Sequence, residues 1–371
     1  MSEINIAILT PSRISYSETF IDAHRKYLKG NTFLYYGSIE NKILEGVGNL
    51  RKTRKEYLFR GLRILKNESY NWYLDQFLIK SFKENRINVV LAEYGDTAQA
   101  YLPLIRKLKL PLIVHFHGYD ASIYEMFEIT DNYKEIFKAA AYVLVVSKKM
   151  RKKLLDLGCP EDKLIYNVCG PREEFLKLNA SYLKPQFIAA GRFVDKKAPY
   201  NLILSFRLVV KDYPEAKLIM AGKGELLNVC RNLVRYYKLE NNIHFAGVLS
   251  SKELGELFEE SLAFVQHSVI SANGDEEGTP LTVLEASGAG LPVIATNHGG
   301  IPDVIQDEIT GFIVEEHDID EMAKRMIRLL KTPGLAKKLG INGKENIKKN
   351  FTIRRHLDVL DDLIEKVIKK Q

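Results

Sequence analysis

Short, nearly continuous apolar runs alternate with longer amphipathic stretches along this chain, and the alternation occurs twice. NVVLA (88–92), LIVHF (112–116) and PVIAT (292–296) have no polar face. Such runs suit strands buried on both faces of a parallel sheet, where crossover helices cover each side. Strands are therefore expected at Ile4–Thr10, Thr32–Gly37, Asn88–Glu93, Leu112–His117 and Tyr142–Val146. A second set is expected at Gln186–Gly191, Ala216–Gly222, Ile243–Gly247, Leu262–His267, Pro292–Thr296 and Phe312–Val314. Helical patterns lie between, at Glu253–Glu260 and Asp320–Leu330 among others. The fold class is α/β, with two doubly wound, Rossmann-like domains. The 371 residues suffice for two cores. ASYLKP (180–185) carries a proline and precedes a new strand, which places the boundary there. The domains are then 1–181 and 185–352, with a terminal amphipathic helix over 353–371.

No stretch approaches the roughly 18 apolar residues of a membrane-spanning helix. The opening MSEINIAILTPSR has a short apolar run, no basic segment before it and no small-residue cleavage site, so it reads as a first strand. Three cysteines, Cys159, Cys169 and Cys230, form no Cys-x-x-Cys pair. That pattern disfavours a disulfide framework or zinc cluster and fits buried thiols in a reducing cytosol.

In open α/β sheets ligands bind beyond the carboxyl ends of the strands. Four places there carry chemistry. In GRFVDKKA (191–198), Arg192 and Lys197 follow a strand end. They read either as a solvated turn or as a guanidinium fork and an ammonium suited to a diphosphate. In EGTPLTVLE (277–285), Gly278, Thr279 and Pro280 turn into a helix beginning at Leu281 and Thr282. A helix start offers free amides and a positive dipole end to an anion. Glu277 and Glu285 flank it, either as acids favoured by the dipole or as acceptors for ribose and sugar hydroxyls. In VHFHGYD (114–120), His115 and His117 share one strand face, with His117 nearer the strand's end. In AGKGELLN (221–228), Gly222, Lys223 and Gly224 follow a strand, but Leu227 stands where a dinucleotide fingerprint needs its third glycine. No His, Asp or Glu grouping has a metal-ligand spacing, so no metal is expected. Asp318-Ile319-Asp320 reads as a helix cap, with Glu321 three residues on.

The combination of these places on two α/β halves resembles the retaining glycosyltransferases of GT-B fold, family GT4. EGTPLTVLE resembles the family's Glu-x7-Glu motif. GRFVDKKA resembles its Gly-Arg stretch, with Ala198 in place of the usual glycine. GLPVIATNHGGIPDVI (290–305) and TGFIVEEHDIDEMA (310–323) resemble the rest of the family's nucleotide domain. SETFI (17–21) and VHFHGYD resemble the subgroup that builds bacterial surface polysaccharides. VVSKKMRKKL (145–154) and NVCGPREEF (167–175) resemble family segments, although Val168, Pro171 and Arg172 depart from the usual Asn-Pro-x-Gly-Val-Asp. The first loop, TPSRISYSE, lacks glycines that many members have there.

The resemblance implies transfer from a nucleoside diphosphate sugar, UDP- or GDP-linked, to a hydroxyl of a glycan or lipid-linked acceptor. It implies an interdomain cleft and no required cofactor. Arg192 and Lys197 would neutralise the diphosphate, and amides around Gly278, Thr279, Leu281 and Thr282 would bind a phosphate. Glu285 would hold the ribose, Glu277 the transferred sugar, and His117 the donor sugar near the reacting carbon. Gly222 and Lys223 would lie by the nucleotide, with Glu18 and Asp120 on the acceptor side. A sugar-nucleotide epimerase, a phosphorylase or a non-catalytic nucleotide-sugar-binding protein are the alternatives.

The net charge of +7 lies wholly in the first half: residues 1–180 hold 28 basic and 21 acidic residues, and the remainder balances. Residues 42–66 carry eight basic and two acidic groups, with Leu58, Leu62 and Leu65 at helical spacing. This reads either as a helix packed on its own domain or as a basic amphipathic helix on an anionic membrane. No nucleic-acid module is recognisable. The expected location is the cytoplasm, at the inner membrane face.

Overall fold

The computed structural model describes residues 3–13, 18–38, 40–52 and 55–370. Ser17 of SETFI, much of the first loop, and Thr53 and Arg54 of the basic segment lie outside the described residues. The chain divides into two compact units. One gathers 1–146, 151–167 and 356–371, and the other 147–150 and 168–355.

Among the described residues, the first unit is built on eight strands. They are β1 (Asn5–Thr10), β2 (Asn31–Tyr36), β3 (Ile43–Leu44), β4 (Gly48–Asn49), β5 (Val89–Glu93), β6 (Leu112–Phe116), β7 (Tyr142–Val145) and β8 (Leu164–Tyr166). Their order is β4-β3-β2-β1-β5-β6-β7-β8. The six from β2 to β8 in that order pair in parallel, and β3 and β4 add an antiparallel edge. All residues of β1, β5 and β6 are buried, which is why their sequences show no polar face. Successive strands leave β1 in opposite directions, toward β2 and then β5. The crevice at the carboxyl ends of β1 and β5 is thus this sheet's switch point.

The second unit has six parallel strands: β9 (Gln186–Ala190), β10 (Lys217–Ala221), β11 (Ile243–Gly247), β12 (Ala263–Gln266), β13 (Val293–Thr296) and β14 (Gly311–Val314). The order β11-β10-β9-β12-β13-β14 puts the switch point between β9 and β12. Phe187, Phe206, Ile294, Phe312 and Met326 lie in its core. The continuous part of this unit starts at Val168, ahead of the proline-bearing segment 180–185, because helix Glu173–Lys177 packs there. Phe175 on that helix is fully buried beside Phe258, ring centroids 5.6 Å apart.

Helix Ile353–Lys369 contributes residues from His356 onward to the first unit. Leu357, Leu360, Leu363, Ile364 and Val367 are buried, and the Asp361 carboxylate accepts the Lys29 amide at 2.8 Å. Burial of five aliphatic side chains is worth about 10 kcal/mol, comparable to the whole net stability of a domain. Truncation after Thr352 is therefore expected to leave the first unit unfolded. Pulse proteolysis reads this directly, and a truncated chain with undiminished resistance would contradict it. Among the described residues, no helix is long and apolar enough to cross a membrane.

Candidate active site

The switch point of the second sheet opens into a pocket lined by Gly191, Arg192, Phe193 and Lys197 after β9, Met220 and Ala221 of β10, and Gln266 and His267 at β12. Two turns interlock at its edge. Gly191 N–H donates to the Ala221 carbonyl (3.0 Å), and Phe193 N–H donates to the Lys223 carbonyl (2.9 Å). Gly222 sits at φ +133° against Gly191, where a β-carbon would overlap the Gly191 carbonyl. Its glycine is thus a packing requirement as well as a conformational one. Gly222 and Lys223 hold the Arg192 turn; Ala221, not they, lines the pocket. Ala198 takes the left-handed conformation, φ +34°, that glycine adopts without strain.

Arg192 is exposed, and Lys197 is largely covered. The Lys197 ammonium lies 3.0 Å from Glu277 Oε1. Burial pulls Lys197 below the usual lysine range, against the pull of Glu277. For Glu277 burial acts upward, but the charges of Lys197 and Lys196 and the hydrogen bond from Lys197 outweigh it and hold the carboxyl at about 2. Because this folded-state value lies below the ordinary 4.5, Glu277 contributes stability above that pH and loses it as pH falls toward 2. Glu277→Gln is expected to flatten the acid side of the stability–pH curve between those values, as read by denaturant titration at each pH. Neighbouring Lys196, buried, bonds Asp275 Oδ1 (2.9 Å) and the Glu276 carbonyl (3.2 Å).

The Glu277–Gly278–Thr279 turn is shaped from beneath by His298-Gly299-Gly300. Glu277 N–H donates to His298 Nε2 (3.0 Å), whose Nδ1 faces Glu316 Oε1 at 2.7 Å. The imidazole proton is thereby assigned to Nδ1. Gly300 N–H donates to the Gly278 carbonyl at 2.6 Å, and a β-carbon on Gly300 would overlap Thr279 Oγ1 and that carbonyl. Helix Leu281–Gly288 begins after Pro280, so the amides of Leu281 and Thr282 fall in its first turn, without an intrahelical acceptor. Glu285, one turn on, is buried and bonded through Oε1 to Arg172 Nε at 2.8 Å. Burial raises its carboxyl despite Arg172. The Arg172 partner comes from the segment that departs from the family pattern, and sequence spacing gave no sign of the pairing. Asp318 Oδ1 caps the amide of Glu321 at 2.9 Å, the role read from sequence.

In the first unit, Glu93 ends β5 with no exposed surface. Its Oε2 lies 2.7 Å from His117 Nε2 and its Oε1 2.6 Å from His24 Nδ1. Burial pushes the Glu93 carboxyl upward, but His24 and His117 hold it at about 2. Phe20 stacks on His117 at 4.2 Å between centroids, and Tyr94 meets it edge-on at 4.9 Å. Glu18 accepts the Tyr94 hydroxyl at 2.9 Å. Asp120 lies in the turn that follows β6. It is fully buried, and its oxygens accept the amides of His117 (3.1 Å), Gly118 (3.0 Å) and Gly95 (2.9 Å). Its work is to hold the turn that carries His117. Sequence reasoning missed Glu93 and His24 altogether, because their contacts to His117 join separate elements.

Two family models match the chain. Glycosyl transferases group 1 covers residues 172–346, and Glycosyltransferase Family 4 covers 46–168. Among curated proteins, the chain is 27% identical over 247 residues to WcaL of Escherichia coli (strain K12), assigned to colanic acid biosynthesis as a glycosyltransferase; the match covers 65% of this chain and 61% of that one. It is 27% identical over 249 residues to the amylovoran biosynthesis glycosyltransferase AmsK of Erwinia amylovora, covering 65% and 61%. The chain thus spans about three fifths of the length of these curated relatives. Among solved structures, Anabaena HepE in complex with UDP and glucose superposes with a TM-score of 0.77 at 14% identity, over 98% of this chain and 100% of that one. The sucrose-phosphate synthase of Thermosynechococcus elongatus gives 0.77 at 16%, over 100% of both.

Proposed function

The chain belongs to the group 1 glycosyltransferases of family 4, built on the GT-B fold, and we propose on that premise that it transfers a sugar from a nucleoside diphosphate sugar to a hydroxyl of a glycan or lipid-linked acceptor, with retention, in surface polysaccharide biosynthesis. The observation that supports this best is the pairing of Arg192 and Lys197 at the switch-point pocket, with Lys197 tied to Glu277 at the head of helix Leu281–Gly288. The biosynthetic assignments of WcaL and AmsK, and the UDP in HepE, agree with it.

In this reading the bond between the anomeric carbon and the phosphate oxygen breaks, and negative charge develops on the departing diphosphate. Arg192, Lys197 and the amides of Leu281 and Thr282 stabilise that charge without reorganising, which is the source of the rate enhancement. The acceptor oxygen bonds the same face of the sugar, and its proton passes to the departing phosphate oxygen. No carboxylate nucleophile is required, in contrast to retaining glycosidases. Glu277 binds the sugar's hydroxyls, Glu285 Oε2 the ribose, and His117, its ring fixed by Glu93, the donor sugar. A thermal-shift screen against UDP-, GDP- and ADP-sugars tests the donor assignment. One of the first two is expected to raise the midpoint, since a ligand of the native state stabilises it. No shift with any of the three would contradict the reading.

The acceptor side is proposed to face an anionic membrane. On helix Lys55–Leu65, Phe59 packs edge-on to Phe77 at 5.0 Å, while Tyr57, Leu58, Ile64 and Leu65 are each more than half exposed beside Arg60 and Arg63. Apolar side chains left to solvent next to cations suit a charged lipid surface. Co-sedimentation with vesicles is expected to rise with anionic lipid content and to fall in Arg60→Glu/Arg63→Glu. Binding indifferent to lipid charge would count against it.

A further inference from the structure

Three imidazoles converge inside the first unit. His24 comes from helix Thr19–Tyr27, His115 from β6 and His356 from the terminal helix, and all three are fully buried. One potential ligand atom from each lies within 4.8 Å of the other two. Nε2 of His24 is 2.7 Å from Nε2 of His356, and the His115 ring centre is 5.6 and 5.5 Å from those of His24 and His356.

His115 makes the cluster chemically unusual. Neither ring nitrogen of this buried side chain has a hydrogen-bond partner. Its Nδ1 is 3.6 Å from Glu93 Oε2, beyond hydrogen-bond range. Leaving a buried polar group unmet costs about 1–3 kcal/mol, and a native fold that accepts the cost needs a reason. His24 is prepared in the opposite way. Its Nδ1 is engaged by Glu93 at 2.6 Å, which puts the proton on Nδ1 and turns the Nε2 lone pair toward the cluster. A carboxylate behind a histidine is how proteins orient an imidazole ligand and raise its basicity.

We propose that His24, His115 and His356 form a binding site for one divalent first-row transition ion, zinc foremost, with Glu93 as the carboxylate that orients His24. Three imidazole donors with no ligating carboxylate or thiolate suit zinc, cobalt or nickel and do not suit magnesium or calcium. Glu93 supplies a negative charge beside the ion. The role is structural: the ion joins the first helix, the central sheet and the terminal helix of one unit. The ion takes no part in the transfer reaction, although Glu93 also fixes the His117 ring.

The site is enclosed, so loading is best tested through folding. The full-length, untagged chain is unfolded in denaturant with chelator, then refolded with equimolar zinc or cobalt and desalted. About one ion per chain is expected by elemental mass spectrometry, with a higher thermal midpoint than chelator-refolded protein. The cobalt form should show weak visible d–d bands and no thiolate charge-transfer band. His115→Ala and His356→Gln, each checked for folding by circular dichroism, should lose the bound ion. Glu93→Gln should weaken affinity by about 10–100-fold. No ion retained by the refolded wild type would overturn the proposal. So would equal retention by the folded histidine variants, which would mark adsorption elsewhere.

Discussion

Alanine at Arg192 is expected to lower kcat/KM for sugar transfer by about 10²–10³-fold, the cost of removing one fixed charge-stabilising donor, while the thermal midpoint stays in place. The two effects separate because of how the turn is built. The backbone on either side of Arg192 is fixed by hydrogen bonds that the Gly191 and Phe193 amides donate to the Ala221 and Lys223 carbonyls, and the side chain itself is exposed. Removing an exposed side chain changes stability by no more than about 0.5 kcal/mol. Arg192→Lys should recover part of the rate, since an ammonium restores charge but not the planar fork that grips two phosphate oxygens. Initial rates over a range of donor concentrations give the split between kcat and KM. Unchanged turnover in the alanine variant would remove Arg192 from the machinery.

Lys197 behaves differently, because its charge is covered and opposed by Glu277 at 3.0 Å. Lys197→Met strands a buried carboxylate, a change that costs about 3–5 kcal/mol. The double variant Lys197→Met/Glu277→Gln removes both charges together and is expected to regain most of that stability, as replaced buried pairs do. Activity should stay lost in both. Denaturant unfolding supplies the stabilities, and a coupled assay for the released nucleoside diphosphate supplies the rates. A double variant that recovered transfer along with stability would show that the pair serves folding alone.

The strands were legible because parallel-sheet strands write themselves as uninterrupted apolar runs: β1, β5, β6 and β13 are buried along their whole length. Three short strands escaped. β3 and β4 have two residues each, too few for any period, and LIY of β8 is the shortest strand of the parallel array. The turns that carry candidate residues were legible as well, since Gly191-Arg192 and Gly278-Thr279-Pro280 sit where a strand ends or a helix begins. Residues whose meaning lies in a distant partner were not. Glu285 gives no hint of Arg172, 113 positions away, nor His24 of His356, 332 positions away. Asp120 is the same case in miniature: its partners are backbone amides, which carry no sequence signature. Spacing rules find chelates within one element and cannot see a cluster assembled from a helix, a strand and a terminal helix.

The most direct test of the donor assignment is a crystal structure of this chain grown with the nucleoside diphosphate sugar that raises its melting midpoint most. The account predicts the diphosphate against the carboxyl ends of β9 and β12, with Arg192 and Lys197 on its oxygens and the Leu281 and Thr282 amides donating to a phosphate. A diphosphate bound away from those four groups would contradict it.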